Sequence, residues 1–167
     1  MRSKESALFI LISLTLLAIA QAILNYQELP EVVASHFDAS GDADGWMARD
    51  AFVILDIAIV LINAAVFFGI QAMLPRISTA YINVPNREYW LAAERKSESL
   101  NRLSMHVLWF GNATVLFLVV LFHQIYQLNI ENQSTLDGDF WKGLLLYFAL
   151  IGILIFRMYR DFRRPEH

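Results

Sequence analysis

The chain has 167 residues, 57% of them hydrophobic, a formal net charge of −3 and no cysteine. The apolar excess over the ~45–50% of soluble domains is gathered into blocks, which marks a membrane protein and leaves little chain for a separate soluble domain. Without cysteine, disulfides, thiolate catalysis and cysteine-ligated zinc or iron–sulfur centres are excluded.

The first block, 7–26, follows Arg2 and Lys4. Its Ala18-Ile19-Ala20 stretch also fits a cleavable signal peptide. The apolar run continues through Ile23 and Leu24, so a retained helix is expected. Three more blocks, 51–74, 103–126 and 140–159, complete a set of four. Each approaches the ~20 residues that cross a ~30 Å hydrocarbon core at 1.5 Å per residue.

Between the first two blocks, loop 27–50 carries Glu28, Glu31, Asp38, Asp42, Asp44 and Asp50 against Arg49 alone, with Gly41 and Gly45 as turn residues. His36, Asp38, Asp42 and Asp44 put an imidazole and three carboxylates within nine residues, a donor set able to hold a divalent cation. The spacing is not that of an EF-hand. Aligning Gly45 with that loop's glycine puts Ser40 first and Ala51 where the bidentate glutamate belongs. The alternative is a structural turn in which Asp side chains cap backbone amides while Phe37 and Trp46 plug the loop into the membrane surface. We expect the turn, with His36 and Asp44 supporting it and no bound metal or cofactor.

In the second block Asp56 lies about one and a half turns inside, where a lone charge is costly and needs a partner. His123 of the third block and Lys142 of the fourth are the candidates by depth. Asn63 and Asn112 both fall near mid-membrane and are expected to pair with each other, joining the second and third spans.

Loop 75–102 begins polar and β-branched, then turns helical after Pro85-Asn86, with Asn86 as N-cap. Tyr89, Trp90, Leu91, Ala93, Leu100 and Leu103 alternate with charges, and Glu98 and Arg102 form an i,i+4 pair. The pattern predicts an interfacial helix leading into the third span, with Tyr89 and Trp90 at the membrane surface or on a partner and Glu94 and Arg95 facing water. Loop 127–139 is short and acidic, and Arg157 to Arg164 form a basic end suited to anchoring topology or meeting anionic lipid.

Eleven Lys and Arg residues fall before the first block, in loop 75–102 or after the fourth block; Arg49 and Lys142 alone fall elsewhere. By the positive-inside rule both termini and loop 75–102 are cytoplasmic and the other two loops are outside. Tyr26, Trp46, Tyr126 and Trp141 at one boundary and Tyr81, Trp90 and Tyr159 at the other agree with that orientation.

Two segments resemble a known family. Leu29-Pro30, His36-Phe37, Ser40-Gly41, Asp44 and Trp46, followed by Arg49, are similar to the bacterial membrane family catalogued as a domain of unknown function (number sixteen-forty-eight), which also occurs in SdpI-type immunity proteins. Ile82-Asn83-Val84-Pro85-Asn86-Arg87-Glu88-Tyr89-Trp90-Leu91-Ala92, with Glu94-Arg95, is similar to the inner loop of its small four-span members. Ala34 and Ala93 stand where those relatives commonly carry proline. The resemblance implies a bacterial inner-membrane location; SdpI-type immunity proteins carry an additional membrane region that is not expected in this chain, so the resemblance implies the immunity role only weakly.

No phosphate loop, dinucleotide glycine motif, HExxH pair or nucleophile elbow occurs, and the basic tail is too short to argue for nucleic acid. The expectation is an all-α integral membrane protein, one domain over 1–167 with four transmembrane helices, N-in and C-in, an outer acidic cap and an inner interfacial helix. It is expected to be non-enzymatic, a sensor or immunity-like receptor or an accessory subunit working in the lipid bilayer with a membrane-protein partner or as a homo-oligomer. The alternative is a small ion- or metal-handling protein using His36, the loop carboxylates, Asp56 and His123.

Overall fold

The computed structural model describes residues 4–163. Arg2 and Arg164 of the charge argument lie outside the described residues. In chain order the elements are helix α1 (Lys4–Asn25), strands β1 (Val32–Phe37) and β2 (Ala43–Ala48), helix α2 (Arg49–Met73), a short helix α3 (Arg87–Trp90), and helices α4 (Lys96–Ile130) and α5 (Gly138–Asp161). Two 3₁₀ turns, Leu74–Arg76 and Thr79–Tyr81, bridge α2 to α3.

Among the described residues, α1, α2 with its 3₁₀ extension, α4 and α5 are long and apolar enough to cross a membrane. The protein is therefore a multi-pass membrane protein. The four blocks read from hydropathy each fall on one of these helices, but α4 is much longer than block 103–126. Its 35 residues rise about 52 Å, well beyond a ~30 Å core, so turns at both ends project past the apolar slab.

The helices are not equivalent. α4 packs against α1, α2 and α5, and α1 also packs against α2. α1 offers Ala7, Leu11, Ala18 and Ala22 as one buried stripe, and three small residues on it let backbones approach closely. α2 does the same with Phe52, Val53, Asp56, Val60 and Gln71. Gly111 of α4 marks the tightest crossing, since a Cβ there would lie 2.8 Å from Cβ of Phe67. α5 buries only Leu154 and leans on α4, with Phe117 stacked on Tyr147 at 4.4 Å between ring centroids.

Two sequence expectations are corrected here. Within a mostly helical fold, loop 27–50, expected as a structural turn, contains an antiparallel hairpin, with Val32 opposite Ala48 and Phe37 opposite Ala43. Only Val32 and Val33 supply β-branched residues, and irregular pairing between Ala34 and Phe37 breaks the two-residue alternation that reveals strands.

Nor is there a continuous interfacial helix. α3 is one turn, the chain leaves helical geometry over residues 91–95, and α4 starts at Lys96. Asn86 is left-handed (φ 52°) and its side chain makes no cap bond; its Nδ2 donates instead to the Phe162 carbonyl at 3.1 Å. Trp90 Nε1 donates to the same oxygen at 2.7 Å, and the two rings meet edge to face at 5.8 Å. Trp90 is therefore buried in the protein's own core with Leu74, Ile82, Val84, Leu100 and Phe162, not displayed at its surface. Arg102 adds a bond to the Asp161 carbonyl at 3.1 Å. Together these donors satisfy carbonyls that the last turn of α5 leaves open. The Glu98–Arg102 pair forms as expected, at 3.0 Å.

Gly111→Ala is expected to destabilise the protein by about 1–3 kcal/mol, the usual cost of overpacking a filled contact. Gly152→Ala, where nothing lies within 4 Å, serves as the control. Thermal unfolding in detergent reads the difference, and equal melting of the two variants would contradict the close crossing.

Candidate functional site

The most organised polar region lies where α1 ends and α2 begins. Its turn is built by Asp38, whose Oδ1 accepts from the amides of Ser40 at 2.7 Å and Asp42 at 3.0 Å. Gly41 has φ +92° and donates its amide to the Asp38 carbonyl at 3.0 Å. Glycine adopts that backbone without the clash a Cβ would bring. The imidazole Nδ1 of His36 contacts Oδ1 of Asp44 across the strands. Gly45 sits beside it because a Cβ there would lie 2.9 Å from Cβ of His36.

The hairpin is fastened to the segment between α4 and α5. Ala43 donates to the Ser134 carbonyl at 2.7 Å and Leu136 donates to the Gly41 carbonyl at 2.8 Å. The Thr135 hydroxyl donates to Oδ1 of Asp42 at 2.7 Å. From the projecting end of α4, Asn129 acts as a substitute strand: its Oδ1 accepts from the Ala34 amide at 2.7 Å and its Nδ2 donates to the Ala34 carbonyl at 3.0 Å. Val33 enters the helical core beside Leu29, Phe52 and Tyr126. Phe37 packs inward against two core clusters, while Trp46 remains 57% exposed.

Each of the four metal candidates has a local role: His36 with Asp44, Asp38 in the turn, and Asp42 on Thr135. Among the described residues no three such side chains gather as a ligand set.

Asp56 is 2% exposed, and its partner is neither of those expected from depth. Tyr126, fully buried, donates its hydroxyl to Oδ2 of Asp56 at 2.7 Å. His123, three residues earlier on α4, is exposed, and Lys142 pairs with Asp139 at 2.6 Å. Tyr126, a boundary aromatic by its position in the sequence, lies in the core, and its hydroxyl is what the buried carboxyl requires.

The expected Asn63–Asn112 pair does not form. Asn63 donates to the Ile59 carbonyl of its own helix at 2.9 Å, and Asn112 donates to the Ala7 carbonyl of α1 at 3.1 Å. Asn112 therefore joins α4 to the first span.

The loop motif is divided between the two ends of the molecule. Asn86, Tyr89, Trp90, Glu94 and Arg95 lie with the start of α4 and the end of α5, away from the hairpin. Arg95 folds over the Tyr89 ring at 4.0 Å and donates Nε to the Tyr89 carbonyl at 2.8 Å; Glu94 is exposed.

Tyr126→Phe removes the hydroxyl from Asp56 and is expected to cost about 1–3 kcal/mol. Asp56→Asn should cost less than Asp56→Leu, because an amide oxygen still accepts from Tyr126. Combining Asp56→Leu with Tyr126→Phe should cost less than the sum of the single changes, as neither partner is then left unpaired. Strictly additive melting shifts would contradict the pairing.

No curated protein and no solved structure matches the chain. Residues 13–62 match the family model described as Domain of unknown function (DUF1648). That interval runs from within α1 through the whole hairpin into α2, taking in His36, Asp44, Trp46 and Asp56. The segment that builds the hairpin, with the adjoining parts of the two helices that carry it, is thus similar to the DUF1648 domain family.

Proposed function

We propose that the chain is a non-enzymatic binding protein of a bacterial cytoplasmic membrane, with the hairpin outside and both termini inside. It acts as a sensor or immunity-like receptor, or as an accessory subunit of a membrane complex. The observation that carries this reading is the construction of the hairpin end. Asn129, Thr135 and the residue 134–136 backbone fix the hairpin, while Trp46, Val32 and the His36–Asp44 pair stay at its surface. A rigid aromatic on a preorganised backbone loses little entropy on binding, which is the economy of a recognition surface.

The polar groups of the cap spend their bonds on one another, a pattern that favours holding a shape over proton or group transfer. The orientation draws support from charge. Lys4, Arg76, Arg87, Arg95, Lys96, Arg102, Arg157, Arg160 and Arg163 belong to the end opposite the hairpin, which the positive-inside rule assigns to the cytoplasm. An ion path through His36, Asp56 and His123 draws no such support, since Tyr126 takes the Asp56 carboxyl and His123 faces away from buried surroundings.

Cysteines introduced at the exposed Ser40 and Ser134 are expected to react with an impermeant thiol reagent in intact cells, after outer-membrane permeabilisation where there is one. A cysteine at Ser97 should stay unlabelled. Labelling at Ser97 alone reverses the orientation. For the binding role, purification in mild detergent should retain a stoichiometric membrane-protein partner, and Trp46→Ala should release it without lowering the melting temperature. A stoichiometric divalent ion on an isolated protein, lost in both His36→Ala and Asp38→Ala, would overturn the reading in favour of ion handling.

A further inference from the structure

The junction of α4 and α5 is incompletely filled. A cavity of about 630 Å³ lies between them near the end opposite the hairpin, and a second of about 210 Å³ lies further along the same pair. Both are lined by Leu150. On α4 the lining residues Met105, Trp109, Ala113, Leu116 and Val120 recur every three or four positions, so they form one face. On α5, Gly143, Leu146, Leu150, Leu154 and Arg157 do the same. The two cavities are therefore parts of one groove. From Met105 to Val120 it runs about 22 Å, more than the ~15 Å depth of a single leaflet.

The groove is apolar over most of its length and polar at one end. There Arg157 enters the lining beside His106 and Asp161. The Asp161 carboxylate is occupied: His106 Nε2 lies 3.1 Å from Oδ2, and Arg160 Nε lies 3.8 Å from Oδ1. Among the described residues Arg157 has no carboxylate within ion-pair distance. It is an arginine at the end of an apolar groove in a helix pair that spans a bilayer, adjoined by Arg160 and Arg163.

We propose that this groove binds one anionic phospholipid of the surrounding bilayer, with an acyl chain along the α4–α5 face and the headgroup phosphate on Arg157. Charge complementarity selects this occupant. A neutral lipid tail satisfies the groove but leaves the arginine unpaired, and a free phosphate satisfies the arginine but leaves the apolar length empty. The guanidinium suits a phosphate because it offers two parallel N–H donors. The proposal stands on different residues from the cap and is independent of the binding role proposed for it.

The test is native mass spectrometry of the full chain in nonionic detergent, titrated with phosphatidylglycerol or phosphatidylcholine of the same acyl chains. The wild type is expected to retain one phosphatidylglycerol about fivefold better than phosphatidylcholine, the discrimination that one basic residue near a membrane surface supplies. Arg157→Gln should abolish the preference, Arg157→Lys should preserve most of it, and Gly143→Leu should weaken retention of both lipids by filling the groove. Arg163→Gln, outside the groove lining, should leave the preference intact. Equal retention of the two lipids by the wild type overturns the proposal, as does equal loss in Arg163→Gln and Arg157→Gln. Displacement of the lipid by inorganic phosphate alone would also overturn it, since the groove would then contribute nothing.

Discussion

α1, α2 and α5 all seat on α4, and inside a bilayer no hydrophobic effect drives them there, because lipid tails are as apolar as the side chains they replace. What holds the helices is close fit and a few polar bonds. The fit is seen at Gly111 against Phe67 and along the alanines of α1. The bonds are those from Asn112 to the Ala7 carbonyl, from Tyr126 to Asp56, and from Gln21 to the Val119 carbonyl at 3.2 Å. Each joins α4 to a different stretch of α1 or α2. Without α4 the first two helices would keep, among the spans, only their contact with each other, and α5 would lose the span it packs on.

The two ends of the molecule solve one problem in different ways. Polar backbone emerging from a bilayer must find partners, and where water does not reach, the protein must supply them. At the hairpin end the partners are strand pairing and the Asn129 amide. At the other end they are the side chains of Trp90, Asn86 and Arg102, which close over the last turn of α5. The aromatic residues differ accordingly. Trp46 stays exposed on its strand, whereas Trp90 is consumed by the fold.

The four spans were legible because a hydrocarbon core of fixed thickness demands a fixed run of apolar residues, whatever the packing. The hairpin was hidden because its strand segments are short and irregularly paired, and because Asp38, Gly41, Asp44 and Gly45 resemble a string of turns until the partner strand is known. The Asp56 partner was missed for another reason. Depth along the chain proposed His123 and Lys142, yet depth carries no direction around the helix axis: Tyr126, one turn on from His123 and about 60° around from it, falls among buried neighbours while His123 stays exposed. The same rotational information, absent from a depth argument, separates Asn63 from Asn112. The interfacial helix failed where the loop's apolar residues proved to serve a core around Phe162, a residue over seventy positions away from Trp90.

The junction between β2 and α2 contains no spacer: Ala48 ends the strand and Arg49 begins the helix. The hairpin and the membrane helix are thus set in a single angular phase, like a vane fixed to a shaft. One inserted residue would swing the hairpin about 100° around the α2 axis and lift it about 1.5 Å. The pairing of Ala34 with Asn129 opposes such a swing, because Asn129 stands on α4, a different shaft. Any torque applied to the hairpin from outside therefore reaches the membrane as relative rotation of α2 against α4, at the very interface where Gly111 leaves no slack.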